Sequence, residues 1–143
     1  MSRLPLTKAD TIVTTALRRG RELDLAPLTV AVLDAGGHLV VLKREDESGI
    51  LRVEIATGKA WGALGMGFGS RELFERAAKA PAFVNALTAA SQGRVVPVPG
   101  GVLIRDDSGI VGAVGISGDN SDNDEICAVA GVEAAGFVPQ TGA

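Results

Sequence analysis

Hydrophobic residues change between helical and strand spacing along the chain, and this pattern predicts the order of its elements. Apolar positions at helical spacing predict a first helix over residues 8–23. Two apolar runs follow, 28–33 and 38–43, and the sequence between them, 34–37 (DAGG), has the composition of a tight turn. A tight turn brings consecutive strands together in antiparallel pairing, so the two runs predict a β-hairpin.

The middle of the chain has the pattern of three helices. Ser48 stands where a residue that caps the N-terminus of the second helix is expected. Gly58 and Gly62 lie inside that helix, where each costs about 1 kcal/mol relative to alanine. We therefore expect a close neighbour, either the sheet or a partner subunit, to lie against them. Residues 71–79 and 81–93 predict two further helices.

Residues 95–118 predict the centre of the sheet. An apolar approach leads through a turn rich in proline and glycine to a second hairpin, with strands at 102–104 and 110–116. Both faces of the second strand are apolar or small, so helices are expected to cover it on both sides. Glycines weaken a strand, so those of this strand indicate that another backbone, a helix or a ligand approaches closely. They are Gly112, Gly115 and Gly118.

A final helix is predicted to begin near Ser121, and residues 140–143 are expected to form a loose tail. The predicted order is α-β-β-α-α-α-β-β-β-α, which is typical of an α+β layered fold. We expect a single domain over residues 1–143. The residues predicted to line one side of the last helix are Ile126, Val129, Ala130, Glu133 and Phe137.

Composition and charge limit the class of protein. Of the 143 residues, 46% are hydrophobic and 22% are charged, as in an ordinary globular domain. The net charge of −3, without a basic face, argues against nucleic acid as a partner. No apolar run is long enough to span a bilayer, and the start of the sequence lacks the pattern of a signal peptide. We therefore expect a cytoplasmic protein that binds neither nucleic acid nor membrane.

Candidate metal and nucleotide sites are few. The chain has one cysteine, Cys127, and one histidine, His38, which argues against a zinc site and an internal disulfide. The glycine-rich segments lack the spacing of phosphate-binding and dinucleotide-binding loops. Four carboxylates near the start of the last helix could bind a hard cation, and this alternative stays open. We favour the interpretation that they cap the helix and face solvent, so no metal site is predicted. These carboxylates are Asp119, Asp122, Asp124 and Glu125.

A candidate polar cleft is centred on Lys59. This lysine stands one residue away from the apolar side of the second helix. Its ammonium group can therefore lean toward the end of the preceding strand, where Arg44 and Asp46 stand. Such a group suits an anion or a polar substrate, and a surface salt bridge is the alternative interpretation.

Six segments of the chain, taken in order, carry a family resemblance. They are 31–39 (AVLDAGGHL), 42–46 (LKRED), 56–60 (ATGKA), 99–102 (PGGV), 112–118 (GAVGISG) and 124–125 (DE). Their order and spacing resemble the GlcG/HbpS-like family, also called the haem-degrading or DUF336 family. The likeness covers nearly the whole chain.

The resemblance implies a five-stranded antiparallel sheet with helices on both faces, in a profilin-like arrangement, and homo-oligomers from dimers to octamers. It also implies a protein that binds a small molecule, with haem or another tetrapyrrole as the candidate ligand and cofactor. His38 is the only imidazole available as a haem ligand, and Cys127, Met1 and Met66 are weaker candidates. The residues predicted to bind the ligand are His38, Gly100, Gly101, Gly115 and Ser117.

Two other functions stay open at this point. One is a cofactor-independent enzyme of a catabolic pathway, which acts on a small organic acid or a ring-cleavage product. Its catalytic residues would clamp an anion and transfer protons. They are Lys59, Arg44, Asp46, Asp124 and Glu125. The other is a purely structural or regulatory subunit.

Overall fold

The structure, a computed structural model, describes residues 3–143, which form five helices and five strands. The helices are α1 (Leu6–Glu22), α2 (Arg52–Met66), α3 (Ser70–Lys79), α4 (Pro81–Ala90) and α5 (Ser121–Ala134). The strands are β1 (Thr29–Asp34), β2 (Leu39–Arg44), β3 (Gly101–Asp106), β4 (Gly109–Ser117) and β5 (Val138–Gln140). None of the helices in this described range has the length and apolar character needed to cross a membrane.

The strands form one antiparallel sheet in the order β2-β1-β4-β3-β5. β4 lies at the centre, where Val114 pairs with Val32 of β1 on one side and with Val102 of β3 on the other. Helices cover both faces, α1 and α5 on one face and α2 on the other. The predicted fold class, an α+β domain with a five-stranded antiparallel sheet covered by helices, is confirmed.

Alternate residues of the central strands build two layers of core, because successive side chains of a strand point to opposite faces. Val32 and Val114 belong to the larger apolar cluster, which α1 and α5 complete. Leu33 and Ala113 belong to the smaller cluster, which α2 completes with alanine side chains. These small side chains bring the backbone of α2 close to the sheet.

The position of the fifth strand differs from the expected order. β5 (Val138–Gln140) follows α5 and pairs with β3, whereas the segment 95–98 forms no strand. The Val96 amide donates instead to the Gly58 carbonyl of α2 at 3.3 Å. Pro97 has no backbone N–H group that could donate to a neighbouring strand. The apolar approach to β3 thus packs on a helix, and the tail expected to be loose begins within the edge strand.

Gly58 and Gly62 allow this segment to lie directly on α2. A Cβ atom at Gly58 would lie 2.5 Å from Val96 Cγ2 and 2.8 Å from the Arg94 carbonyl oxygen. A Cβ atom at Gly62 would lie 3.1 Å from Val95 Cγ1. The close neighbour expected at both glycines is therefore an extended segment of the same chain, and not the sheet or a partner subunit.

The capping role predicted for Ser48 is wrong. α2 begins at Arg52, and its N-cap position is Leu51, with no capping hydrogen bond from a side chain. Ser48 is buried, and its hydroxyl lies 2.7 Å from the hydroxyl of Thr29 in β1. A buried hydroxyl requires a partner, so Ser48 fixes the loop before α2 to the sheet.

Of the five residues predicted to share one side of the last helix, Val129 and Phe137 pack against the larger apolar cluster, but the rest of that side does not face the core. Ile126 is 45% exposed, and Glu133 is exposed. Gly131, on the opposite side of the helix, lies against the carbonyl group of Ile12 in α1. Both sides of α5 carry apolar residues, so their spacing does not identify the side that faces α1 and the sheet. The buried residues are Asp124, Cys127, Ala128, Gly131 and Val132.

Candidate functional site

Lys59 and Asp124 form an ion pair in the interior of the domain. Lys59 Nζ of α2 lies 3.2 Å from Asp124 Oδ2 of α5, and the two side chains are 2% and 1% exposed. Lys59 Nζ also donates to the Ile116 carbonyl of β4 at 2.8 Å. Asp124 Oδ1 accepts a hydrogen bond from the Asp119 amide at 3.0 Å. The pair therefore links α2, β4 and α5.

Burial disfavours the charged form of both groups. Desolvation lowers the pKa of Lys59, and the attraction of Asp124 opposes this lowering only in part. Desolvation likewise raises the pKa of Asp124, against the opposing effect of Lys59. Neither group reaches solvent, so the pair connects elements of the fold and does not face an open cleft.

Three predicted ligand-binding glycines pack against α2. Gly101 lies against the Lys59 carbonyl group, and Gly115 lies against the Ala56 carbonyl group. A Cβ atom at Gly100, where φ is +116°, would lie 3.0 Å from Lys59 Nζ. The chain itself occupies the space beside these residues, which accounts for glycine at each position without a bound ligand.

The carboxylates near the start of α5 are engaged within the chain. Arg71 of α3 donates from Nε to Glu125 at 3.0 Å and from Nη2 to Asp122 at 2.5 Å. These hydrogen bonds raise the pKa of Arg71. Asp119 accepts from the side-chain amide of Asn123 at 2.8 Å. In the part of the chain that the structure describes, no group of three His, Cys, Asp or Glu side chains is arranged to hold a metal ion.

Two arginines meet hydroxyl-bearing residues at the end of the sheet next to the buried pair. Arg52 of α2 donates to Ser117 Oγ at 3.0 Å, and Arg44 of β2 donates to the Ser48 carbonyl at 2.7 Å. Thr29 pairs with both Arg44 and Ser117 across the sheet, so these side chains lie on one face. Neither arginine has a carboxylate partner among residues 3–143. We name Arg44, Arg52, Ser48 and Ser117 the arginine cluster, and its donors suit a carboxylate or a phosphate oxygen.

Asp46 lies on the rim of a neighbouring surface depression of about 430 Å³, which Arg44 also borders. Arg21 and Glu45 line the same depression and bind each other at 3.2 Å. No hydrogen bond or ion pair joins Arg44 or Asp46 to Lys59 within the described residues, because Lys59 is turned toward α5. The residues proposed for an enzyme site are therefore divided between the interior and the surface.

His38 lies in the turn between β1 and β2, at the far end of β1 from Thr29. Its side chain is 80% exposed, and Nδ1 lies 3.1 Å from Asp34 Oδ1. Burial raises the pKa of Asp34, but hydrogen bonds from the backbone amides of His38 and Gly36 and from the His38 ring outweigh it and hold that pKa below its ordinary value. An ionised Asp34 favours the proton on Nδ1 and leaves Nε2 as the acceptor. An imidazole held by a carboxylate in this way has the arrangement of a metal-ligating histidine.

The other candidate haem ligands are less available. Cys127 is buried, and burial raises the pKa of its thiol to about 11. Met66 is half-buried at the last position of α2. Met1 lies outside the described residues. His38 is thus the most exposed of the described candidates.

Sequence reasoning missed Arg52 and Arg71. Arg52 stands seven residues before Lys59 and therefore on the same side of α2, so the helical spacing could have placed it near Lys59. Arg71 pairs with Glu125 across 54 positions of sequence. No sequence pattern connects these two residues, since their contact depends on how α3 meets the start of α5.

The sequence has known counterparts. The sequence model of the family described as haem degrading protein HbpS-like matches residues 4–133. The corrinoid adenosyltransferase PduO of Citrobacter freundii is 31% identical over 109 residues, which are 76% of this chain and 32% of that protein. The chain thus spans about a third of the length of the first curated relatives that it matches.

The fold also has counterparts among crystal structures. The complex of PduOC with haem superposes with a TM-score of 0.86 at 27% identity, over 96% of this chain and 97% of that chain. HbpS superposes with a TM-score of 0.79 at 28% identity, over 93% of this chain and 90% of that chain. The similarity therefore extends over the whole domain and not over one motif.

Proposed function

This chain belongs to the haem degrading protein HbpS-like family, and from that premise we propose that it binds a metal tetrapyrrole, in the first place haem. Two similar structures support this class of ligand, namely PduOC in complex with haem and HbpS. The corrinoid adenosyltransferase PduO supports the same class, since a corrinoid is also a tetrapyrrole with a central metal. In this proposal the protein binds and orients the ligand, and the ligand supplies the redox and ligation chemistry of its metal.

The observation that carries the proposal is the exposed imidazole of His38. Asp34 holds Nδ1 at 3.1 Å, so Nε2 is the nitrogen left for a metal. Asp34 itself accepts hydrogen bonds from the Gly36 and His38 amides at 2.9 and 3.0 Å, which fix its orientation. Histidine is a frequent axial ligand of haem iron. The residues present therefore fit the group, with His38 as its ligand and Asp34 as the residue that positions His38.

The binding unit in this proposal is a homo-oligomer. α4 is rich in apolar residues, yet Val84 is its only buried residue. Phe74 of α3 and Phe83 of α4 are 50% and 46% exposed. A second copy of the chain that covers α3 and α4 would remove this apolar surface from water. The free, buried Cys127 is in keeping with a cytoplasmic location.

Titration with hemin tests the proposal. The wild-type protein should shift the Soret band with stoichiometric saturation, and His38→Ala should abolish that shift. Asp34→Asn should reduce the affinity about 10-fold or more, because a neutral amide oxygen accepts from Nδ1–H more weakly than a carboxylate and positions the ring less firmly. Cys127→Ser is the matched control, and it should bind hemin as the wild type does because its thiol is buried.

Three outcomes of these titrations would change the proposal or overturn it. An unchanged Soret shift in His38→Ala would rule out ligation by this histidine. A parallel titration with hydroxocobalamin separates the two tetrapyrroles, since a spectral shift with cobalamin alone would replace haem by a corrinoid. The absence of a shift with both ligands would overturn the proposal.

A catabolic enzyme without a cofactor has less support. Lys59 and Asp124, its proposed proton-transfer groups, are 2% and 1% exposed. Glu125 binds Arg71 at 3.0 Å. A general acid or base must come within hydrogen-bonding reach of its substrate, and the buried pair offers a substrate no such approach.

A further inference from the structure

A pocket of about 410 Å³ lies between α2 and the segment that precedes β3. Glu54, Thr57 and Trp61 line it from α2, and Gln92 and Arg94 line it from the other side. We name it the Trp61 pocket. None of these residues belongs to the buried ion pair, to the arginine cluster or to the His38 turn.

Backbone contacts fix the two walls of the Trp61 pocket relative to each other. Gln92 has a φ of 58°, a left-handed conformation that turns the chain back after α4. Two residues beyond Arg94, the Val96 amide donates to the Gly58 carbonyl of α2 at 3.3 Å. Because Gly58 has no side chain, the segment lies against the helix and holds Arg94 opposite Trp61. The pocket is therefore formed without a ligand, as is usual for small-molecule sites.

Arg94 stacks on the aromatic surface of this pocket. Its guanidinium carbon lies 3.8 Å from the centre of the Trp61 ring, which is a cation–π contact. A stacked guanidinium keeps the N–H donors at its edge available for a carboxylate. Arg76 provides the contrast, since it lies over Phe68 at 4.8 Å but is also paired with Glu72. Arg94 has no carboxylate partner in the described part of the chain.

We propose that the Trp61 pocket binds a planar monocarboxylate with one aromatic ring. The carboxylate accepts a pair of hydrogen bonds from the N–H groups at the edge of the Arg94 guanidinium, and the ring lies against Val53 and the part of Trp61 that Arg94 leaves uncovered. The pocket volume falls in the usual range of small-molecule sites, roughly 300–1,000 Å³. Glu54 places a negative charge beside the pocket, which disfavours a second carboxylate on the ligand. This monocarboxylate site does not rest on tetrapyrrole binding, although Trp61 also lies beside Gly37 of the turn that carries His38.

Trp61 reports on its own pocket. It is the only tryptophan, and the chain has no tyrosine, so fluorescence excited at the red edge of indole absorption comes from this residue. Benzoate should quench it saturably. Benzamide has the same shape without the charge, and cyclohexanecarboxylate has the charge without the planar ring. Each should bind at least about 10-fold more weakly than benzoate, a difference of about 1.4 kcal/mol.

Variants test the roles of the individual side chains. Arg94→Met removes the donors and should abolish saturable quenching by benzoate. Arg76→Met is the matched control, because it removes the other stacked arginine and should leave the titration unchanged. Glu54→Gln removes the neighbouring negative charge and should tighten the binding of benzoate several-fold. His38→Ala should bind benzoate as the wild type does. Benzoate binding can therefore be confirmed even if tetrapyrrole binding fails, and tetrapyrrole binding can be confirmed even if benzoate binding fails.

The proposal is overturned if benzamide quenches as effectively as benzoate, or if Arg94→Met binds benzoate with unchanged affinity. Should Arg94→Met fail to fold, the wild-type protein still decides the question by NMR. Benzoate should move the single indole N–H resonance of Trp61 in a saturable way. A resonance that does not move at saturating benzoate would end the proposal.

Discussion

Lys59 and Asp124 bury opposite charges at a point where neither reaches water. Removal of an ion from water costs several kcal/mol, which a buried pair offsets only when its geometry is good and its other donors and acceptors are satisfied. The Ile116 carbonyl and the Asp119 amide supply those further partners. The pair therefore adds little net stability, and we interpret it as a device that selects one arrangement of α2, β4 and α5.

Lys59→Met should destabilise the protein strongly at neutral pH, because Asp124 then keeps a buried charge without its cation. The expected loss in the free energy of unfolding is about 3–5 kcal/mol. The double variant Lys59→Met with Asp124→Leu should lose less than Lys59→Met alone, since no charge remains in the interior. Denaturant titration measures both variants, and a loss below about 1 kcal/mol in the single variant would contradict this interpretation.

The deficit of Lys59→Met should depend on pH. Burial raises the pKa of Asp124 above its ordinary value of 3.8, and loss of Lys59 raises it further. The folded variant then binds more protons than the unfolded chain above pH 3.8, so its stability falls as the pH rises. The stability gap to the wild type should be largest near neutral pH and should narrow toward about pH 4. Denaturation at a series of pH values measures this gap, and a gap of constant size would contradict the buried carboxylate.

The Asp124→Asn variant should show the opposite dependence. Burial lowers the pKa of Lys59 below 10.5, and loss of Asp124 lowers it further. The unfolded chain then binds more protons than the folded variant, so stability rises with pH up to about 10.5. The difference in stability between Asp124→Asn and the wild type should therefore narrow toward alkaline pH. The difference between Lys59→Met and the wild type should not narrow there.

Single residues are recognisable from the sequence when their own position is unusual. Lys59 stands beside the apolar side of α2, and His38 is the only histidine. Their partners are not recognisable in the same way. Asp124 stands 65 residues after Lys59, and the bond between them requires α5 to pack against the end of the sheet. Asp34 is only four residues before His38, yet their contact depends on the conformation of the turn.

At the scale of the elements, helix α2 contains glycines of two kinds, one packed against another segment and one with open space beside it. Substitution of each by alanine should distinguish them by its effect on stability. Gly58→Ala gains about 1 kcal/mol of helix propensity, but its methyl group meets the segment with Arg94 and Val96. Such overpacking costs about 1–3 kcal/mol, so we expect a net loss of stability. Gly65→Ala is the matched control on the same helix, because no atom beyond its chain neighbours and the nearby backbone of α2 lies within 4 Å of the added Cβ.

Gly65→Ala should raise the free energy of unfolding by about 0.5–1 kcal/mol, the gain in helix propensity alone. Thermal or denaturant unfolding of the two variants checks the difference in sign. Equal effects at Gly58 and Gly65 would mean that the segment before β3 does not lie against α2 in solution.

Long periodic elements and tight hairpins could be predicted from the sequence, because their signals are local. The first hairpin, and the second around the 106–109 turn, follow from apolar runs that flank residues with turn chemistry. β5 could not be predicted, because it has three residues, includes Pro139 and forms only by pairing with the edge of β3. The buried side of α5 was also hidden, because Gly131 and Ala128 face inward while Ile126 faces outward.

At the scale of the whole molecule, the central strands of the sheet are well covered but α4 is not. The one buried residue of α4 is Val84, and the helix packs chiefly on α3. Single exposed apolar side chains are normal on a protein surface. A short apolar helix with a single buried residue is different, because most helices in proteins depend on the packing of an apolar face for their stability. α4 therefore favours an assembly in which a second copy covers it.

The wild-type protein should accordingly sediment as an oligomer at micromolar concentration. Phe74→Asp combined with Phe83→Asp places two charges on the surface to be covered and should shift the protein toward the monomer. Burial of one such side chain contributes about 1.5–3 kcal/mol, so the dissociation constant should rise at least about 10-fold. Leu6→Asp is the control, because Leu6 is also exposed, at 63%, but lies on α1. A monomeric wild type would contradict the homo-oligomer, and an unchanged double variant would exclude α3 and α4 from its interface.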